Sequence, residues 1–506
     1  MNQRAPRGSA ASLPTPDQVA ASPLARYRPL LDDWDAFAAA LCRPLPTCVW
    51  ANPARIGVAG LRDLLAEEGM STWTIPWLPG ALRLPVEARA GQHWWYCAGL
   101  AHAQEAVSQL PALLLDLVPG QRVLDLCAAP GGKTAQIALA LGNRGTLMAN
   151  DIASARIKAL QGNLDRLGIF NCSTTCTDGA NWPAAGGQFD RILVDAPCSS
   201  EGTLRRNPSM IERLDPGSPA RLAPRQRALL RKAVQRLKPG GRLVYSTCTF
   251  APEENELTVA AILAEYPGEV RLVPAAIAGL LTAPGLTCWE GQELPAELVL
   301  AMRVWPHHND TGGFFIAVLE KDADARAEPE PRFATLDAAD SDDWLPDLAA
   351  HYGLPHDYWA PFRAHRQTRR GLHLMAADHR PPAVPRAEGS GLFFHRTQVR
   401  PPKPTTGGAM LFGALATRCH LPLTQEQRDR YLRREQFDPT PEQRANPPGQ
   451  VVVSYSGQVL GVAVLHRSGV IESLFPSRWS GCTGGAGPET AAFEPDLEDA
   501  SAAERA

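Results

Sequence analysis

Short apolar runs punctuate the middle of the chain, each leading through a turn into a longer helical stretch. The first, RVLDLCA (122–128), opens through PGG into KTAQIALAL. GTLMAND (145–151) precedes SARIKALQGNLDRLGI, for which Ser154 is the expected N-cap. STTCTD, FDRILVDAPC, a basic helix ending QRLKPGG, and RLVYSTCT complete the series. Strands alternating with helices of about 10–15 residues predict βαβ units and a parallel sheet. Ligands of such sheets bind outside the carboxyl ends of the strands. Cys127, Asp151, Asp178, Asp195, Cys198 and Cys248 all fall at those ends.

The pattern breaks elsewhere. With 506 residues the chain is too long for one ordinary core. Residues 1–22 read as a disordered leader and 23–100 as a Trp-rich N-terminal subdomain containing WTIPWLPG and GQHWWYCAGL. A central unit spans 101–320. The charged stretch 321–344 is too poor in apolar residues to pack and reads as a linker. A C-terminal unit covers 345–480, and an acidic tail expected to be disordered covers 481–506.

An apolar fraction of 44% and a charged fraction of 20% are those of a soluble globular protein. No run of eighteen apolar residues exists and no apolar leader segment opens the chain, so we expect a cytoplasmic protein with no membrane contact. Eleven singly scattered cysteines do not make a disulfide framework, and reduced thiols are expected. Cys172 and Cys176 lack a second pair or His cluster to complete a zinc site, so no metal is expected. A net charge of −3 gives no global support for nucleic-acid binding. Locally, however, eleven Lys/Arg lie between Arg205 and Arg242 against only Glu212 and Asp215, and Phe362–Arg380 is basic again. Such runs are solvated faces about as often as they are phosphate-binding ones.

DLCAAPGGKT lets backbone approach a ligand and turns a helix N-terminus toward it. It satisfies neither the P-loop nor the GxGxxG pattern. Asp151, ending the second strand, is placed for ribose hydroxyls, and Asp178 could accept from an adenine amino group; either could instead be a simple turn residue. Together the three features point to an adenosyl ligand. The two strand-end thiols, Cys198 and Cys248, either pack as small hydrophobes or react, and spacing does not say which one attacks.

VLDLCAAPGGKT, DAPCSSEGT, LKPGGRLVYSTCTFAPEEN and RVWPHHNDTGGFFIA resemble, in that order, the motifs of the Sun (Fmu/Nop2-like) RNA 5-methylcytosine methyltransferases. LTQEQRDRYLRREQF and the segment from GQVVVSYSGQ to LFPSRW resemble the PUA-like extension of the bacterial RsmF (YebU)-like branch. PLPTCVWANP is similar to the family's N-terminal RNA-binding region, with Trp50 where Arg is expected. The resemblance implies a Rossmann-like α/β methyltransferase domain flanked by an N-terminal RNA-binding subdomain and a C-terminal PUA-like domain. S-adenosylmethionine (SAM) is the implied cofactor, held by Cys127, Ala128, Ala129, Pro130, Gly131, Gly132 and Lys133, with Asp151, Asp178 and Asp195. It further implies Cys248 as nucleophile, Cys198 as the product-release residue and Asp195 as the group that protonates and orients the base. The arginines of TLRRNP and the helix RLAPRQRALLRKAVQRLK would face phosphates.

The expected reaction is methylation of cytosine C5 in RNA through a covalent bond from cysteine to C6, acting as a monomer on small-subunit rRNA, with tRNA as the alternative. A non-catalytic RNA-binding assembly factor is the reading from another class. An amino-group methyltransferase is disfavoured, because Cys198 stands where that chemistry requires an aromatic residue.

Overall fold

The computed structural model describes residues 13–340, 344–355, 357–368, 371–396, 403–477 and 479. The sequence 1–12 and the expected tail 481–506 lie outside the described residues. The predicted parallel sheet is present. Its strands are β1 (Arg122–Asp125), β2 (Thr146–Asp151), β3 (Cys172–Cys176), β4 (Phe189–Asp195), β5 (Leu237–Thr247), β6 (Met302–Val304) and β7 (Phe314–Lys321). They lie in the order β6-β7-β5-β4-β1-β2-β3. Pairs β1–β2, β1–β4, β2–β3 and β4–β5 are parallel, whereas β7 runs antiparallel to both β5 and β6. β1 and β2 are buried along their whole length and β4 through Ile192–Val194, as a sheet covered on both faces requires.

Helices α1 (Gly132–Ala140), α2 (Ser154–Leu167) and α3 (Ser218–Arg236) are the crossovers. Ser154 is not the cap of α2 but its first residue; Ala153 is the N-cap, and Asp151 Oδ1 accepts from the Ala153 amide at 3.1 Å. The strand thus supplies the capping carboxylate.

The flanking regions depart from the expected boundaries. Residues 16–21, assigned to the leader, form a helix whose Thr15 side chain and Gln18 make a reciprocal capping box. Val19, Leu24, Tyr27, Phe37 and Leu41 are buried in the same apolar cluster as β4, β5 and α3. Residues up to 41 therefore belong to the central domain. Strand Thr47–Ala51, with its partners Ala81–Leu84 and Ala101–Ala103, forms a separate antiparallel sheet. Leu61 and Leu65 of the neighbouring helix Val58–Glu67, and Trp94, share one core with Leu348, Tyr431, Val452 and Ile471 of the C-terminal unit. Trp94 meets Tyr455 edge-on at 5.0 Å, Arg55 donates to the Val459 carbonyl at 3.2 Å, and Arg428 pairs with Glu68 at 3.3 Å.

The stretch 321–344 is docked rather than free along its described part. Glu328 pairs with Arg236, Glu330 pairs with Arg122, and Ala338 bridges to His365. The C-terminal unit also adds residues Gly389–Ser390 antiparallel to the β3 edge. There Ser173 Oγ, itself on β3, lies 2.7 Å from Ser390 Oγ and 2.8 Å from His379 Nε2. Among the described residues no helix is long and apolar enough to cross a membrane. Cys97 is disulfide-bonded, against the expectation that every thiol is reduced.

Candidate active site

All the carboxyl ends singled out above converge on one edge of the sheet. β1 runs into Leu126 and the turn Cys127–Lys133. Gly131 takes φ +107°, and a Cβ there would lie 2.6 Å from the Leu160 side chain of α2, so only glycine fits. The Ala129 amide donates to Asp151 Oδ2 at 3.3 Å, and Arg156 of α2 pairs with the same carboxylate at 3.1 Å. Arg156 also donates to the Ala129 carbonyl at 2.6 Å, tying turn, strand end and helix together. Ile152, the residue after Asp151, is an exposed large apolar side chain at this edge that hydropathy alone did not single out.

Asp178 closes the loop after β3. Its carboxylate caps a short helix through the Ala180 amide at 3.1 Å and pairs with Arg225 at 3.2 Å. The turn role is thus real, alongside its place at the site edge. Cys127 is pushed far above the ordinary thiol range by burial and by its carboxylate neighbours, which keeps it protonated and unreactive.

Asp125, at the end of β1, is buried with its Oδ2 accepting from Thr134 Oγ1 at 2.7 Å. Burial raises its pKa to about 7 from an ordinary 3.8. Between those values the unfolded chain has lost this proton while the folded one keeps it, so this group makes stability fall as pH rises through that window. Asp125→Asn should remove that part of the decline: the variant's melting temperature relative to the parent is expected to rise from pH 5 to pH 8. A parallel pH dependence in both proteins would contradict a neutral Asp125.

β4 and β5 deliver the thiols. Cys248 follows β5 directly and Cys198 lies three residues beyond β4; their Sγ atoms are 3.4 Å apart and both side chains are partly accessible. Their surroundings differ. The two sulfurs are within hydrogen-bonding reach of each other, and Ser200 Oγ lies 3.6 Å from the Cys248 sulfur. These contacts, helped by the positive charge of Lys133, lower the Cys248 pKa although burial opposes them. Cys198 is driven the other way by that same hydrogen bond, then by burial, and further by the Cys248 and Glu254 charges. The first thiolate therefore forms on Cys248.

Asp195, ending β4, pairs with Lys133 Nζ at 2.7 Å and accepts from Ser246 Oγ at 2.7 Å. Lys133 also reaches Ser108 Oγ at 2.9 Å. Sequence reasoning placed Lys133 only in the cofactor turn; the fold makes it the hinge between that turn and the thiols. The loops behind the thiols are locked from inside. Buried Glu254 accepts from the Ser199 amide at 3.0 Å and from Gln226 at 2.6 Å, while buried Glu201 accepts from Tyr27 Oη at 2.9 Å and Thr249 at 3.0 Å.

Several expected phosphate contacts are instead structural. Arg205 is buried, donating to the Arg43, Pro44 and Thr311 carbonyls and pairing with Asp310. Arg236 is buried against Glu328, and Arg231 pairs with Glu265. Arg206 stays exposed. Trp50 is buried, donating from Nε1 to Gln104 Oε1 at 2.9 Å, so it can make no phosphate contact. The second basic stretch is partly core: His365 and His379 are buried, and Arg369 and Arg370 lie outside the described residues.

A sequence profile described as 16S rRNA methyltransferase RsmB/F matches residues 112–320. A solved structure titled a methyltransferase homolog protein from Pyrococcus horikoshii is 34% identical, covers 60% of this chain and 98% of its own, and superposes with a TM-score of 0.54. The chain belongs to the RsmB/F methyltransferase family. Ribosomal RNA small subunit methyltransferase F of Klebsiella pneumoniae (strain 342) is 37% identical over 316 residues, and that of Escherichia coli O139:H28 is 38% identical over 311. In both cases the match covers 59% of this chain and 62% of the curated relative's length. The family profile covers the thiols, the turn and the strand-end acids, whereas the C-terminal unit lies outside it.

Proposed function

We propose that this protein methylates C5 of cytosine in RNA, with small-subunit rRNA as substrate and SAM as methyl donor. The observation that carries the reading is the pair of thiols 3.4 Å apart beside the Lys133–Asp195 ion pair, at the strand ends that carry the Gly-rich turn. The residues present fit SAM. Gly131 lets the turn pack close on Leu160 at the strand end, Asp151 and Asp178 offer acceptors, and Ile152 offers an apolar face for a flat ring. When bound, SAM supplies an electrophilic methyl group.

Cytosine C5 is too weak a nucleophile to take that methyl unaided. The Cys248 thiolate adds to C6, forming the C–S bond and moving the ring π electrons so that C5 becomes enamine-like. Asp195 is held as an acceptor by Lys133 and Ser246, so it orients the exocyclic amine. Lys133, on the same carboxylate, brings the proton needed where ring charge develops. In this reading proton donation, first assigned to Asp195, passes to the pair. Once Cys248 is a thioether it no longer draws the Cys198 proton, and the largest cause of the raised Cys198 pKa disappears. Cys198 can then ionise, take the C5 proton and allow the C6–S bond to break.

The base must leave its stack to reach the sulfur, which favours unpaired RNA. We assign RNA binding and site choice to the antiparallel sheet of residues 47–103 and to the PUA-like C-terminal unit, with the chain acting as a monomer in the cytoplasm. Bisulfite sequencing of RNA from a deletion strain and its complement tests the reading. Loss of one 5-methylcytosine from small-subunit rRNA is expected, and loss from tRNA instead would transfer the substrate. Unchanged methylation of all RNA would overturn it.

Loop placement gives a further expected result. Gly202 donates to the Cys248 carbonyl at 2.8 Å, and its own carbonyl accepts from Gly313 at 2.9 Å. A Cβ on Gly202 would lie 2.3 Å from the Gly313 carbonyl oxygen, so Gly202→Ala must shift the thiol loops. Misplacement near 1 Å costs on the order of 100-fold in rate. We expect that loss in kcat with unchanged SAM affinity by calorimetry.

A further inference from the structure

The helix after β6 carries a cluster that the proposed reaction does not use. PHHN forms the four-residue helix Pro306–Asn309, and His307 and His308 turn both Nε2 atoms toward one carboxylate, that of Asp32. His307 Nε2 lies 2.9 Å from Asp32 Oδ1, and His308 Nε2 lies 3.1 Å from Oδ1 and 3.0 Å from Oδ2. Packing fixes both rings: His307 stands edge-on to Phe37 at 6.0 Å, and His308 lies 4.2 Å from His307. The two imidazoles are 6% and 16% exposed while the carboxylate is 65% exposed, so the cluster is walled by protein and open on one side.

A tetrahedral ion bonded at about 2.0–2.2 Å holds its ligand atoms roughly 3.3 Å apart. The observed nitrogen–oxygen separations of 2.9–3.1 Å need open by only a few tenths of an ångström, and all the ligand atoms lie within 4.8 Å of one another. Two imidazoles, a carboxylate and a free position suit zinc and its neighbours, whereas magnesium and calcium prefer all-oxygen sets. The residues are 275 positions apart in sequence, which is why no ligand spacing disclosed them and no metal was expected.

We propose that Asp32, His307 and His308 bind a divalent transition-metal ion, which staples residues 13–41 to the methyltransferase core. Asp32 lies between two parts of that segment, Tyr27 and Phe37, that are buried against the sheet. The Nδ1 atoms of both histidines have no hydrogen-bond partner among the described residues. Such partners strengthen a site 10–100-fold, so this one binds more weakly than a zinc finger.

The test uses the untagged, chelator-treated full-length chain with Zn2+ as probe. Calorimetry should give one ion per chain, and saturating Zn2+ should raise the melting temperature. His308→Ala and Asp32→Asn should each weaken binding at least tenfold and abolish the thermal shift, while Cys198→Ala/Cys248→Ala keeps both. Because the active-site thiols are themselves a candidate pair for zinc, Co2+ should give ligand-field bands without a thiolate charge-transfer band. Absence of stoichiometric Zn2+ binding, or binding that survives both His308→Ala and Asp32→Asn, would overturn the proposal. If His308→Ala fails to fold, Asp32→Asn alone decides, since it alters an exposed carboxylate. These readouts do not depend on methyl transfer, so they stand or fall apart from the proposed reaction.

Discussion

Cys248→Ala is expected to retain SAM and RNA binding yet form no covalent adduct and no 5-methylcytosine. Cys198→Ala should attack, methylate and then stall, leaving enzyme crosslinked to RNA on a denaturing gel. The opposite failures follow from the unequal surroundings of two thiols 3.4 Å apart. Cys248 is the sulfur whose thiolate is favoured, by the contact with Cys198 first and by Ser200 and Lys133 after it. Removing Cys198 also removes the largest of those stabilising contacts. The adduct in Cys198→Ala should therefore form slowly at neutral pH and faster as pH rises, because the Cys248 pKa moves up. An adduct that accumulates in Cys248→Ala instead would reverse the two roles, and full activity in both variants would reduce the pair to packing.

Ending the chain at Asp343 is expected to destroy the fold rather than merely weaken RNA binding. An independent C-terminal module behind a free linker would predict a soluble, active remainder. The fold predicts otherwise, because Trp94 packs on Tyr455, Leu61 and Leu65 belong to the core shared with the C-terminal unit, and the β3 edge is paired by Gly389–Ser390. Each large apolar side chain returned to water forfeits about 1.5–3 kcal/mol, against a net stability for a typical protein of about 5–15 kcal/mol. Truncated protein should aggregate or lose its cooperative melting transition. A cooperative transition at the full-length temperature, read by circular dichroism, would show that the halves fold separately.

The legible parts of this molecule were those whose chemistry is local. Apolar runs such as RILVD, followed by a loop and a basic helix, announce buried parallel strands, and strand ends locate a site whatever the fold's details. What escaped was set by distant partners. Gly389–Ser390 has no strand pattern because its two residues extend a sheet built more than two hundred positions earlier. Arg205 and Arg231 look like phosphate ligands until Asp310 and Glu265 are brought beside them. Lys133 reads as part of a turn until β4 places Asp195 against it. The helix at 16–21 did carry its signal, the Thr15–Gln18 capping box, but six residues are too few for a helix to be stable without the core they join.

The shared core of the first antiparallel sheet and the C-terminal unit also fixes an order of events during synthesis. Trp94 and Leu65 leave the ribosome long before Leu345, the first residue of the C-terminal unit in that core, is translated. At about 5–20 residues per second, that interval lasts roughly 10–50 s. Through it the nascent chain carries an uncovered aromatic face and an unpaired β3 edge, the two surfaces on which growing polypeptides aggregate. This protein should therefore depend on nascent-chain chaperones more than its finished surface suggests, and methylating capacity should appear only once the last strands have been made.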